Sequence, residues 1–321
     1  MRRAVLTLAA AAALAAPALA NDSTAEIGAG GIEMVYNSAI EMMSEDLYIS
    51  ADEIRVRYVF RNVTKEARTF TIAFPLPPLD AQYYDTVGMT VFPDTESENY
   101  VGFSVAVDGV PLQPAVMNRV TALGVDRTAE MAAFGLPLHP AGLATGEAIA
   151  ALTPQQLREA NALGLLLVEE WGTLPAWKLE TVFYWEQTFP AGAEVVVEHR
   201  YQPVVGYGFF GDYAFTDPYY VDNYCMDDAF RAGAQNRMGG DAEFPYLNER
   251  RLSYILTTGA NWAGPIGTFH LTVDKGSPDA LVSFCAEGDV VKTGNTTFEM
   301  TITNFYPVLD LHVLLVAPVD W

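Results

Sequence analysis

Residues 251–285, RLSYILTTGANWAGPIGTFHLTVDKGSPDALVSFC, constrain the fold more than any other stretch of this chain. Leu252, Tyr254 and Leu256 alternate with Ser253 and Thr257, and Phe269, Leu271 and Val273 alternate with Thr268, His270 and Thr272. A period of two puts one set of side chains on a dry face and the other on a wet one, which is a half-buried strand. Between the strands, Gly259 to Pro265 holds glycines and a proline that no helix or strand tolerates, and Lys275 to Asp279 supplies a second turn. The stretch reads as an antiparallel meander.

The same signature recurs upstream. Ile54, Val56, Tyr58 and Phe60 alternate with Arg55 and Arg57, then Phe70, Ile72 and Phe74 alternate with Thr69 and Thr71, and residues 62–66 read as the hairpin loop between them. Pro75, Pro77 and Pro78 end the second strand, because proline cannot donate to a ladder. Phe103, Val105 and Val107 run into Asp108-Gly109, a two-residue hairpin signal. Residues 178–188 and 195–201 suggest another hairpin around Phe189-Pro190-Ala191-Gly192, and residues 298–302 and 309–317 repeat the pattern at the end. The fold class expected is all-β.

Two interruptions divide this pattern. Over residues 122–176 alanine, leucine and glutamine replace the alternation, and Thr153-Pro154-Gln155-Gln156 is a capping box with proline at the first helical position, so a short helical insertion is expected. At Pro203-Val204-Val205-Gly206 the strands break again. The expected organisation is two antiparallel β-sandwich units, 21–202 with the helical insertion and 203–321 with an aromatic loop and one short helix after it.

At the other end, Arg2 and Arg3 precede an apolar run from Ala4 to Ala16, and Ala18-Leu19-Ala20 offers the small residues a signal peptidase accepts. Residues 1–20 are expected to be a cleaved signal peptide, with the mature chain starting at Asn21 in the periplasm. Losing Arg2 and Arg3 takes the formal net charge from −22 to −24. Nucleic-acid backbones would be repelled. No later run reaches the roughly 18 apolar residues of a membrane span, so the mature chain is expected to have no transmembrane segment. Cys225 and Cys285 are the only cysteines. In an oxidising compartment they have one intramolecular pairing, and a disulfide is expected.

Motifs that could carry chemistry are few. Gly206, Gly208 and Gly211 satisfy the dinucleotide pattern G-x-G-x-x-G, but Asp212-Tyr213-Ala214-Phe215-Thr216-Asp217-Pro218 cannot open the helix that would hold a pyrophosphate. His139, His199, His270 and His312 lack partners at metal-ligand spacing, and no G-x-S-x-G elbow is present. No catalytic residue, metal ligand or cofactor is assigned. Residues 207–230 are the exception to this blandness: Tyr207, Phe209, Phe210, Tyr213, Tyr219 and Tyr220 stand among Asp212, Asp217 and Asp222. Aromatic faces with carboxylates are what a sugar or a cationic partner uses. Together with Trp262, these residues are the candidate ligand surface, the alternative being a loop packed over the sandwich.

Several segments resemble one known family: Asn21-Asp22-Ser23 with Gly30-Gly31, Phe74-Pro75-Leu76-Pro77, His199-Arg200-Tyr201-Gln202-Pro203, Tyr224-Cys225, and Thr257-Thr258-Gly259-Ala260-Asn261-Trp262. Over essentially the whole mature chain they look like the bacterial secreted domain-of-unknown-function family 4424. The resemblance implies a periplasmic protein and supplies no catalytic residue. The function expected is a binding or structural role in the cell envelope, with an envelope protein or glycan as partner. The rival is a glycan-active hydrolase using carboxylates of the aromatic loop.

Overall fold

The computed structural model describes residues 21–28, 31–81, 90–170, 172–238 and 246–318. The expected signal peptide therefore lies outside the described residues. Strand is the commonest structure among the described residues, arranged in three principal antiparallel-rich sheets and a small hairpin of Leu166–Glu169 with Gly172–Pro175. The all-β, sandwich-like expectation holds.

The seven-stranded sheet runs, edge to edge, from residues 125–126 through Ala115–Ala122, Lys178–Phe189, Arg68–Pro75 and Ser23–Gly28 to Gly31–Val35, with Leu79–Asp80 also paired to Lys178–Phe189. The eight-stranded sheet runs from 291–292 through Thr297–Phe305, Ile266–Asp274, Ile40–Ile49, Ile54–Asn62, Glu194–Tyr201 and Ser104–Val107 to Val110–Leu112. The five-stranded sheet runs from Leu281–Phe284 through Leu311–Ala317, Leu247–Tyr254 and Val205–Phe210 to 90–91. One large apolar core lies among all three. It takes Phe74, Phe183 and Trp185 from the first sheet, Leu47, Tyr58 and Phe269 from the second, and Tyr254, Leu311 and Val313 from the third.

The predicted strands are present, but several of the predicted hairpins are not. Ile54–Asn62 belongs to the eight-stranded sheet and Arg68–Pro75 to the seven-stranded one, so residues 62–66 carry the chain across the core. Asn62, with no exposed surface, shapes that crossing: its amide donates to the carbonyls of Glu66 and Phe189, both at 2.8 Å, and its Oδ1 accepts from the Thr64 backbone at 2.9 Å. The links 189–194 and 254–266 and the one from 305 to 311 also change sheets, so the expected meander is a set of arches. The Asp108-Gly109 turn is a true hairpin, closing Val107 on Val110 with both residues at positive φ, 49° and 76°.

The boundary expected at residue 203 is crossed by the eight-stranded sheet. Ile266–Asp274 pairs parallel with Ile40–Ile49, from Thr268 opposite Ser44 to Val273 opposite Ile49. Gly267 marks where the pairing starts: a Cβ there would lie 2.5 Å from the Met43 carbonyl, beside the bulge between Met42 and Ser44. Residues 21–202 and 203–321 thus share a sheet and a core.

The helical insertion is present as Thr128–Phe134, Leu143–Ala150 and Pro154–Ala162, the last with the predicted capping box of Thr153 and Gln156. After the aromatic loop the chain forms two helices, Pro218–Tyr224 and Asp228–Met238. Two helices thus stand where one was expected, and Cys225 sits between them with φ 48°. Its disulfide to Cys285 spans 60 positions and ties this link to the end of Leu281–Phe284. The helices cover the outer face of the five-stranded sheet, where Phe210, Tyr220, Tyr224, Phe230, Leu314 and Val316 make a second, smaller core. Leu311–Ala317 is therefore buried on both faces: Leu311, Val313 and Leu315 join the large core and Leu314 and Val316 the small one.

A candidate ligand-binding cleft

A cleft of about 520 Å³ opens where the proline-rich strand end, the Tyr201–Gly206 linker and the helix-covered sheet converge. Leu76, Pro77 and Pro78 line one side, Tyr100, Tyr201 and Val204 continue it, and Tyr219, Asn223 and Tyr224 come from the helix opposite. Arg251, Ser253, Asp310 and His312, with Asp80 and Asn223, bring polar groups to a mostly apolar wall. An apolar hollow with a few convergent polar groups is the ordinary form of a small-molecule site.

Arg251 is held from behind. It is buried beside the sealed Glu249, with Nε 3.2 Å from Oε1, and the Tyr220 hydroxyl donates to the same carboxylate at 2.8 and 2.9 Å. Burial pushes Glu249 above the usual carboxylate range, against the pull of Arg251 and Tyr220. Burial also works against the Arg251 charge, but Glu249 and the tyrosines more than offset it and raise its pKa. The glycines of the apparent dinucleotide motif make room for this pair. Gly206 and Gly208 lie directly opposite Arg251 and Glu249, and a Cβ on Gly208 would lie 2.7 Å from the Glu249 carboxylate.

On the neighbouring strands Ser253 and His312 are cross-strand partners, with Oγ 2.7 Å from Nδ1. Burial pushes the His312 pKa down while Asp310 pulls it up, and the net direction is down. Asp310 is itself committed, its Oδ1 accepting from the Leu256 and Thr257 backbone and from the Thr257 hydroxyl at 2.8–3.2 Å. The cleft thus offers a neutral imidazole and hydroxyl beside a compensated guanidinium.

The residues singled out from the sequence are dispersed. Tyr219 lines the cleft, while Phe210 and Tyr220 are buried in the small core. Tyr207 is half-buried under Arg250, its ring centre 5.4 Å from the guanidinium. Phe209, Asp212, Tyr213 and Asp222 are exposed and do not line the cleft. Asp217 and Asp227 act as helix caps, accepting from the backbones of Tyr219 at 2.9 Å and Phe230 at 2.6 Å. Trp262 is 1 % exposed and packs on Phe60 with ring centres 4.5 Å apart, its indole N–H donating to the Asp22 carbonyl at 2.7 Å. Sequence reasoning missed Arg251, Ser253 and His312. No pattern marks them, since Glu249 and Arg251 fall on the phase opposite Leu252 and Tyr254, where a half-buried strand ordinarily carries its polar side chains.

A second hollow, about 580 Å³, lies over the outward side chains of the eight-stranded sheet, among Arg55, Arg57, Arg200 and His270. It is walled by one sheet face, whereas the first is enclosed between layers. Among the described residues, no three His, Cys, Asp or Glu side chains gather as a metal site, and no helix is long and apolar enough to cross a membrane.

Fold and cleft together define a sandwich-like β-protein with a pocket between its layers. The chain belongs to the family described as Domain of unknown function (DUF4424), whose profile matches residues 20–314. No curated protein matches it. Among solved structures it is similar to a Legionella pneumophila protein whose proposed role is nutrient binding, with 15% identity and a TM-score of 0.45 over 93% of this chain and 70% of the other.

Proposed function

We propose that this is an exported, periplasmic binding protein without catalytic activity, which holds a small amphipathic molecule in the cleft at Arg251. The observation that carries this reading is the convergence of Arg251, Ser253 and His312 on a cavity of about 520 Å³ walled mainly by proline, aliphatic and tyrosine side chains. An apolar body would lie along Leu76, Pro78, Tyr100 and Tyr201. A hydrogen-bonding head would meet the polar end, where Arg251 is paired with Glu249 and Ser253 with His312.

A hydrolase reading would need two carboxylates facing each other across a bound glycan. The loop acids Asp217 and Asp227 instead cap helices. The test is native mass spectrometry of the protein recovered from its own envelope, beside a Val204→Trp variant that fills the cleft and Phe209→Ala as a distant control. Binding in the cleft predicts a small molecule carried by the parent and the control and lost from Val204→Trp at unchanged melting temperature. Equal retention by all three, or an adduct on none, rejects it.

A further inference from the structure

The large core contains acids that the cleft does not use. Asn21, Asp22 and Glu45 have no exposed surface. The start of the described chain is gripped by the turn Thr257–Asn261 and the tryptophan after it: the Thr258 hydroxyl donates to the Asn21 carbonyl at 2.8 Å, Asn261 to the Ser23 hydroxyl at 3.1 Å and Trp262 to the Asp22 carbonyl. The Asn21 side chain donates to Glu45 Oε2 at 3.0 Å. The Tyr254 hydroxyl donates to the other Glu45 oxygen at 3.4 Å and lies 2.9 Å from that of Tyr58. Asp22 lies 3.4 Å from His199 Nε2, yet neither of its carboxylate oxygens has a hydrogen-bond partner among the described residues. Among those residues, neither acid pairs with lysine or arginine, and a sealed carboxylate without a cation is costly.

We infer that the α-amino group released by cleavage between Ala20 and Asn21 is the buried counter-charge for Glu45 and Asp22, so that removing the leader completes the core. This rests on the export reading above. Covalent geometry keeps the Asn21 backbone nitrogen within about 5 Å of its own side-chain amide, and that amide touches Glu45. In the uncut chain this nitrogen is a neutral amide. Hydrolysis adds OH to the Ala20 carbonyl carbon and H to the Asn21 nitrogen, and the amine then takes up a proton, its usual pKa being about 7.7–8.0. One cation thereby enters an enclosure holding Asp22, Glu45, His199, Tyr58 and Tyr254. While the nitrogen stays uncharged, burial pushes Glu45 up to about 8, against hydrogen bonds from Asn21 and Tyr254 and with help from the Asp22 charge.

The test compares a chain beginning at Asn21, released by a protease that leaves no overhang, with the same chain carrying one extra alanine, each with and without Glu45→Gln. The amine-specific reagent 2-pyridinecarboxaldehyde reads accessibility and thermal melting reads stability. The native Asn21 amine should label at least about tenfold more slowly than in urea, as for a group reached only through opening. The extended chain should melt several degrees lower or fail to fold, and Glu45→Gln should shrink the difference. Native labelling as fast as in urea, or equal melting of the two chains, overturns the inference. The export reading is tested separately, by the N-terminal mass of protein from the native compartment: a start other than Asn21 breaks that reading and leaves the recombinant comparison standing.

Discussion

Glu249 and Glu45 are both sealed carboxylates on strands, and the molecule treats them differently. Glu249 has a guanidinium at 3.2 Å and a tyrosine hydroxyl at 2.8 Å, all supplied by the folded chain. Glu45 has an asparagine amide at 3.0 Å and a distant tyrosine, with Asp22 close enough to raise its pKa further. The first site is electrostatically finished by folding. The second is finished only when something positive arrives. A buried charge therefore has to be read with its whole enclosure, because the same residue type is a settled support in one layer and an open demand in another.

The largest effects should come from breaking either enclosure. Arg251→Ala leaves the buried Glu249 with the Tyr220 hydroxyl but without its guanidinium and should cost about 3–5 kcal/mol in chemical denaturation. Replacing both partners, Glu249→Leu with Arg251→Met, should recover most of that loss, and a double variant as unstable as the single one would show that packing rather than charge is at stake. Trp262→Ala should also cost about 3–5 kcal/mol, because it empties a site against Phe60 and releases the Asp22 carbonyl. A melting temperature unchanged by this substitution would contradict the structural role.

A smaller loss is expected from removing the disulfide. Cys225→Ser with Cys285→Ser opens a loop of 60 positions, for which the chain-entropy estimate is about 4 kcal/mol at most. Hydrogen exchange should rise chiefly in the helices Pro218–Tyr224 and Asp228–Met238, which distinguishes local loosening from global unfolding.

The comparison sharpens with pH. In a chain extended before Asn21, Glu45 is raised from 4.5 to about 8, so the folded state binds a proton that the unfolded state has lost. Its stabilising contribution is full below about 4.5 and disappears as pH rises through about 8. Denaturation between pH 5 and 8 should show this decline in the extended chain and a flatter profile in the chain starting at Asn21, with Asp22 beside Glu45 and His199 beside Asp22 as the ionisable neighbours. Identical profiles would remove the distinction between the two acids. The smallest effect is Phe209→Ala, about 0.5 kcal/mol or less, since that ring is exposed outside the cleft.

How much of this was legible follows from what a period of two encodes. Alternation at Ile54–Asn62 or Lys178–Phe189 states that one face is dry. It does not state which neighbour supplies the hydrogen bonds, so arches at 62–66 and 189–194 looked like hairpins. Asp108-Gly109 was readable because its backbone chemistry admits few alternatives. The cysteine pair and the capping box at Thr153 were readable for the same reason. The cleft was not, because Tyr100, Tyr201, Arg251 and His312 are far apart in sequence and meet only through sheet pairing. The aromatic loop drew attention by composition, and most of that composition packs inward as the small core.

The parallel pairing of Ile266–Asp274 with Ile40–Ile49 also sets an order of events during synthesis. The bond from Tyr48 to Asp274 joins residues 226 positions apart, so the hairpin Ile40–Asn62 emerges long before the strand that covers its open side. Until residue 274 has been made and threaded, the backbone donors and acceptors of Ile40–Ile49 face outward as an uncapped edge, the kind of template on which chains aggregate. Contacts of such long range also slow folding. The edge stays open while the chain is incomplete, and its final 50 or so residues act as the closing seam of a sheet begun near the first.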